Sequence, residues 1–415
     1  MPRHALATLG LLFSGAAVSG PSPYSHPRSL PAPSDVVEFT GPRGSVTPNL
    51  AAVSGGRLVL TWLEPLPDTG RYAFRFAVRE PGGAWSRPAT IREGKDFFVN
   101  WADFGSLAET GDGRWVAHWL QKTAAAPYAY HVMLSISSDR GTTWSTPVRA
   151  HQDSSTTEHG FVAMSGGPSG LDLVWLDGRN MAGEERGAMT IRTRTLGTGN
   201  RLAAEVELDA RTCECCQTAL ARGPDGLIAA YRDRSDAEIR DIAVIRQVGG
   251  RWQAPQVVAK DNWEYKACPV NGPALAALER RVDLAWFTGV NGEPRVWLVR
   301  SADGGASFGR RIRIDQGQTL GRVDVEPLGD GAVLVAWLEG QSDREAAWQV
   351  RRVTDDGAGP ARTVATVPRA RLAGFPRLAR TPDGVFLSFT ATGVDGGVRV
   401  IRLAGESGRR PTAQR

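Results

Sequence analysis

A motif returns seven times along this chain, and that recurrence constrains the fold more than any other feature. Each copy reads apolar-Ala, a short turn with Gly, then an apolar run ending in Trp-Leu-acidic or a relative. The copies are Asn49–Pro65, Ser106–Lys122, Phe161–Gly178, Ala219–Arg234, Ala274–Gly289, Val325–Gly340 and Arg377–Gly393, with starts 57, 55, 58, 55, 51 and 52 residues apart. Such a period means one supersecondary unit stacked against copies of itself. The second copy shows what the unit is. Ser106–Glu109 starts a strand, Asp112-Gly113 is a turn signal, and Arg114–Leu120 alternates as a second strand. Tyr130–Ser137 alternates as a third, and Pro147–His151 is a short fourth. Four antiparallel strands per repeat make a propeller blade.

The seventh repeat runs out after its third strand, Val398–Leu403, while the first strand of the chain, Asp35–Phe39, belongs to no blade. Pairing the two closes the ring and removes two open edges. The expected fold is therefore all-β, a seven-bladed β-propeller over 35–404, in four-stranded antiparallel blades closed by the N-terminal strand. Before it, residues 1–20 read as a signal peptide: an acid-free apolar stretch, Ala5–Gly20, follows Met-Pro-Arg-His. Residues 21–34 are a Pro/Ser-rich linker, and 405–415 read as a disordered tail. Export to a periplasm or beyond the cell is expected, with no membrane contact past the signal segment.

The net charge of +5 comes almost wholly from arginine, since the lysines are only Lys95, Lys122, Lys260 and Lys266. No basic run interleaves with aromatics, so no nucleic-acid partner is expected. All four cysteines fall in two equivalent connections, Cys213, Cys215 and Cys216 entering the fourth repeat and Cys268 entering the fifth. An exported chain makes two disulfides of them. Thiolates also select copper or zinc, with His159 as a further ligand, and Cys213–Cys216 has redox C-x-x-C spacing. The three readings stay open at this point.

Ser137-Ser138-Asp139-Arg140-Gly141-Thr142-Thr143-Trp144 matches the Asp box, S-x-D-x-G-x-T-W, and Ser301–Phe308 is a close variant. Both fall between a third and a fourth strand. With the blade repeat they give the chain a resemblance to the sialidase superfamily and its Asp-box (BNR-repeat) relatives. The resemblance implies the propeller fold, with the six-bladed sialidase type as the alternative ring. It also implies acidic-sugar chemistry, in which three arginines grip a carboxylate beside a Tyr nucleophile, its Glu, and an Asp acid/base. The family's Arg-Ile-Pro place reads Val46-Thr47-Pro48 here, which argues against a true sialidase.

Strand directions put the blade-to-blade connections and the second-to-third loops on one face, around the channel mouth, where ligands bind. Under the resemblance, Arg322, Arg371 and Arg377 are the clamp, Asp103 the acid, and Tyr265 the tyrosine. Neighbouring Glu264 does not by itself give Tyr265 its partner. Asp177, Arg179, Arg232, Asp233, Arg234 and Asp324 complete a polar rim. Three functions are expected to compete: a propeller binding a metal or small anion through its Cys/His/Arg mouth, a sialidase-like glycosidase, and a disulfide-stapled interaction scaffold. The partner is a small molecule, a glycan or a metal.

Overall fold

The computed structural model describes residues 35–182 and 187–406. The expected signal segment and linker, and residues 407–415 of the expected tail, lie outside them. The described residues form seven antiparallel sheets of four main strands each. Blade one is Val46–Val53, Arg57–Leu66, Arg71–Arg79 and Ala89–Gly94, paired in chain order. Five further blades follow the same order. Blade seven takes Arg377–Thr381, Gly384–Ala391 and Gly397–Leu403, and its outer strand is Val36–Thr40 from the other end of the chain. Glu38 fastens that strand, pairing with Arg79 at 3.0 Å and with Arg402 at 2.9 Å. The fold is a seven-bladed propeller closed by its N-terminal strand. No helix among the described residues is long and apolar enough to cross a membrane.

The recurring Trp-Leu-acidic triplet explains the second strands. Residues two apart on a strand share a face, so the acidic residue lies beside the indole it follows. Trp175 donates Nε1–H to Asp177 at 2.7 Å, Trp337 to Glu339 at 2.6 Å, and Trp62 to Glu64 at 3.4 Å. Trp62, Trp119, Trp175, Trp286 and Trp337 are all buried. Each apolar layer lies between neighbouring blades: Leu334 and Trp348 of blade six pack with Leu387 and Ile401 of blade seven. Truncating such an indole costs about 3–5 kcal/mol.

The two Ser-x-Asp-x-Gly segments are identical turns. Ser137 Oγ–H donates to Asp139 Oδ1 and accepts Gly141 N–H, while Asp139 accepts Thr143 N–H and Oγ1–H. Ser301, Asp303, Gly305 and Ser307 repeat the pattern. These bonds hold the Asp139 carboxyl down at about 2.

A belt of side-chain to backbone hydrogen bonds joins the blades at the mouth. Asp103 accepts Phe161 N–H (2.7 Å), and Thr218 donates to Phe161 O (2.6 Å). Gln217 accepts Gly272 N–H (2.9 Å), and Asn271 accepts Arg322 N–H (2.7 Å). Asp324 accepts Leu378 N–H (2.6 Å), and Thr390 accepts Thr47 N–H (3.3 Å). Three first strands bulge there, with Thr47, Phe161 and Arg322 in the left-handed region. Such bulges re-aim the side chains beside them.

Candidate functional site

The first strands surround a channel of about 640 Å³, and its mouth narrows to a recess lined by Asn49, Asp103, Phe104, Gln217 and Arg377. Behind the recess, Tyr130 Oη lies 2.8 Å from Asp103 Oδ2 and 2.7 Å from Glu158 Oε1. One phenol proton serves one acceptor, so the other contact needs a carboxyl proton donated to Oη. Electrostatics agree. Burial raises Asp103 to about 8, against the Phe161 amide, and burial with Glu214 nearby raises Glu158 to about 7. Burial and the two acids push the phenol well above its ordinary range. Tyr130 is 0 % exposed, so it orders the acids and is closed to attack on a ligand. The approach is so tight that a Cβ on residue 160 would stand 1.9 Å from Asp103 Oδ2, which is why Gly160 is there.

The rim residues separate into groups. Arg234 and Arg240 form a closed lattice with Glu214 and Glu238, with Arg240 to Glu214 at 2.8 Å and Arg234 to Glu238 at 2.6 Å. Arg232 is buried and donates to the carbonyls of Asn271, Arg240 and Phe287. Burial drops its guanidinium to about 9, although Asp261 and Asp241 oppose the shift. It ties blade four to blade five and does not face the mouth. Asp177 is buried as well. Burial pushes it up, but Arg179 (2.7 Å), His159 and the Trp175 indole outweigh that and hold it at about 2. Asp233 accepts Arg234 N–H, and burial raises it to about 6. Asp324, also raised by burial, is in the belt.

Arg322, Arg371 and Arg377 differ from the other rim arginines. Among the described residues none of the three has a carboxylate within ion-pair distance. Arg322 Nη1 donates only to the carbonyls of Ala370, Arg371 and Gly374. Burial and the nearby Arg371 charge lower it to about 10. Its guanidinium lies 4.8 Å over Trp101, which is parallel to Phe375 at 6.0 Å. Arg377 lies over Phe104 and is lowered by burial, partly offset by Asp324. Arg371 is exposed. Tyr265 is exposed against Trp263 at 5.0 Å, away from Tyr130 in the chain and with no glutamate on its phenol among the described residues.

The cysteines pair as Cys213–Cys216 and Cys215–Cys268. No free thiol remains among the described residues, so the expected thiolate metal site is corrected to two disulfides. His159 is corrected too: it sits with His131 and His151, not with sulfur. Tyr130 was missing from the candidate set, and Glu158 and Glu214, which stand in the connections around the mouth, were given no role. The one sequence signal was Glu158 beside His159 in a connection, and nothing local links it to Tyr130.

The fold and mouth together define a seven-bladed propeller with Asp103 and Arg377 lining the channel recess and Tyr130 bonded to Asp103 and Glu158 behind it. No protein-family model matches the chain, and no curated protein matches it. Solved structures do. It is similar to polysaccharide lyase Uly1 at 8% identity, over 86% of this chain and 89% of that one, TM-score 0.51. It is similar to a PL25 ulvan lyase at 12% identity, over 75% and 80%, TM-score 0.46. It is similar to Trypanosoma rangeli sialidase at 12% identity, over 79% of this chain and 57% of that one, TM-score 0.48. At these identities the likeness is one of fold.

Proposed function

We propose that the protein is an exported propeller that binds an anionic carbohydrate at the channel mouth. The observation that carries this reading is Arg377, which lines the recess and, like Arg322 and Arg371, has no carboxylate at ion-pair distance among the described residues. Guanidinium pairs a carboxylate or sulfate through two parallel bonds. Trp101, partly exposed, stacks on Phe375 and holds the Arg322 guanidinium over its ring. The Asp-box reading of the two identical turns agrees with a carbohydrate-type propeller, and two disulfides suit an oxidising compartment.

Arg371 and Arg377 are the ligand contacts, and Arg322 holds the 370–374 loop that presents Arg371. Asp103 lines the recess, and the burial that lifts Asp103 and Glu158 toward neutral pH favours acid/base chemistry on the bound sugar. Calorimetric titration with uronate- and sialate-containing oligosaccharides tests the proposal. Arg371→Gln and Arg377→Met each weaken binding about tenfold or more, and a neutral oligosaccharide of the same length does not bind. Equal binding of neutral and acidic sugars, or none of either, overturns it. Incubation followed by product analysis then separates the modes: an intact sugar means a binding protein, and cleavage lost in Glu158→Gln means an enzyme.

A further inference from the structure

Four imidazole nitrogens in one place make no hydrogen bond. His131 is on the third strand of blade two (Tyr130–Ser137), His151 follows its short fourth strand, and His159 is the first residue of blade three. They bring one ring nitrogen each within 4.8 Å of one another. Both nitrogens of His151, Nδ1 of His131 and Nε2 of His159 are buried without a hydrogen bond. His151 is 2 % exposed and His159 0 %. Buried polar atoms are ordinarily paired, and an orphan group of this kind asks what fills it.

We propose that His131, His151 and His159, with Asp153, form a site for a divalent transition metal of the zinc type, pinning blade two to blade three. His159 Nε2 lies 3.0 Å from Asp153 Oδ2 and 3.7 Å from Asp177 Oδ1, without hydrogen-bond geometry. Three imidazoles and a carboxylate are a zinc-type donor set; calcium and magnesium take oxygen sets instead. The surroundings already orient the ligands. His159 Nδ1 donates to the carbonyls of Thr157 (3.1 Å) and Tyr130 (3.2 Å), which leaves the Nε2 lone pair for a metal. Ser155 N–H holds Asp153 at 3.1 Å. Arg149 Nη1 lies 3.5 Å from His131 Nε2 and can only donate, so His131 ligates through its orphaned Nδ1 by giving up that contact and carrying its proton on Nε2.

His131 is half-buried and leaves a path from solvent. A tetrahedral zinc has ligand nitrogens about 3.4 Å apart. His151 and His159 are stacked, centroids 3.9 Å apart, and unstack as the set closes on an ion. The site uses neither the mouth arginines nor the sulfurs, so it stands or falls independently of the carbohydrate reading.

The test is titration of the EDTA-treated, dialysed full chain with zinc chloride by calorimetry, and with cobalt(II) by visible absorption. One equivalent of zinc binds, and cobalt gives the intense bands of a tetrahedral site. His131→Gln, at the half-buried position, weakens zinc binding about tenfold or more with an unchanged circular dichroism spectrum, and His151→Ala abolishes it. Zinc also raises the melting temperature of the wild-type chain and leaves that of His131→Gln nearly unmoved. Absence of saturable binding to the wild-type chain overturns the proposal. So does stoichiometric binding that persists unchanged in His131→Gln.

Discussion

Tyr130 has one proton and two carboxyl neighbours, and the consequence extends to pH. In the folded chain Asp103 titrates at about 8 and Glu158 at about 7, against ordinary values of 3.8 and 4.5. The folded state therefore holds protons that the unfolded state has released. The stability they contribute is fully present below about pH 4 and is lost as pH rises to about 8. Melting curves should show the midpoint falling by roughly 5 °C between pH 5 and pH 8, and Glu158→Gln should flatten much of that slope. A midpoint that rises over this range would contradict the acid pair. Arg232 is a second residue-scale case, a guanidinium held by carbonyls alone. Arg232→Met leaves the carbonyls of Asn271, Arg240 and Phe287 without donors. Denaturant unfolding should report a loss of about 3–4 kcal/mol.

At the scale of elements, what could be read in the sequence was what is local. The Trp-Leu-acidic triplet places its hydrogen bond two residues away, so strand, face and partner are all written within three positions, as in Trp175-Leu176-Asp177. The Ser-x-Asp-x-Gly turns are local in the same sense. The three arginines Arg322, Arg371 and Arg377 were singled out because each stands in an equivalent connection. Tyr130, Glu158 and Asp103 meet from a third strand and two connections, across a blade boundary, and no spacing announces that. His159 was placed at the mouth by position. The bulge between Gly160 and Ala163 interrupts the alternation there, and the ring joins His131 and His151. The disulfides allow a sharper test. Cys215–Cys268 spans 53 residues and joins the entries to blades four and five, whereas Cys213–Cys216 spans 3. Loop-closure entropy scales with that span, giving about 4 and about 1.5 kcal/mol. Cys268→Ser should therefore cost clearly more in equilibrium unfolding than Cys213→Ser. The reverse order would mean that the short ring holds the mouth.

At the scale of the whole molecule, the closing strand Val36–Thr40 covers the edge of Gly397–Leu403. Deleting residues 35–40 exposes that edge and frees Arg79 and Arg402 of Glu38. Stability should fall by something on the order of 5 kcal/mol. Light scattering should show self-association of the truncated chain through the bared strand, and a truncated chain that stays monomeric and equally stable would refute this role. The same closure also sets a clock. Asp35 Oδ1 accepts the amide of Ala404, 369 residues away, so Val36–Thr40 has no strand to pair with until Gly397–Leu403 leaves the ribosome. Six blades can assemble from neighbours as they emerge, but the seventh waits for both ends, and contacts this remote in sequence form slowly. A newly made molecule passes through a stage with an open gap in its circumference, and that interval is when it is most exposed to proteases and to pairing with another copy.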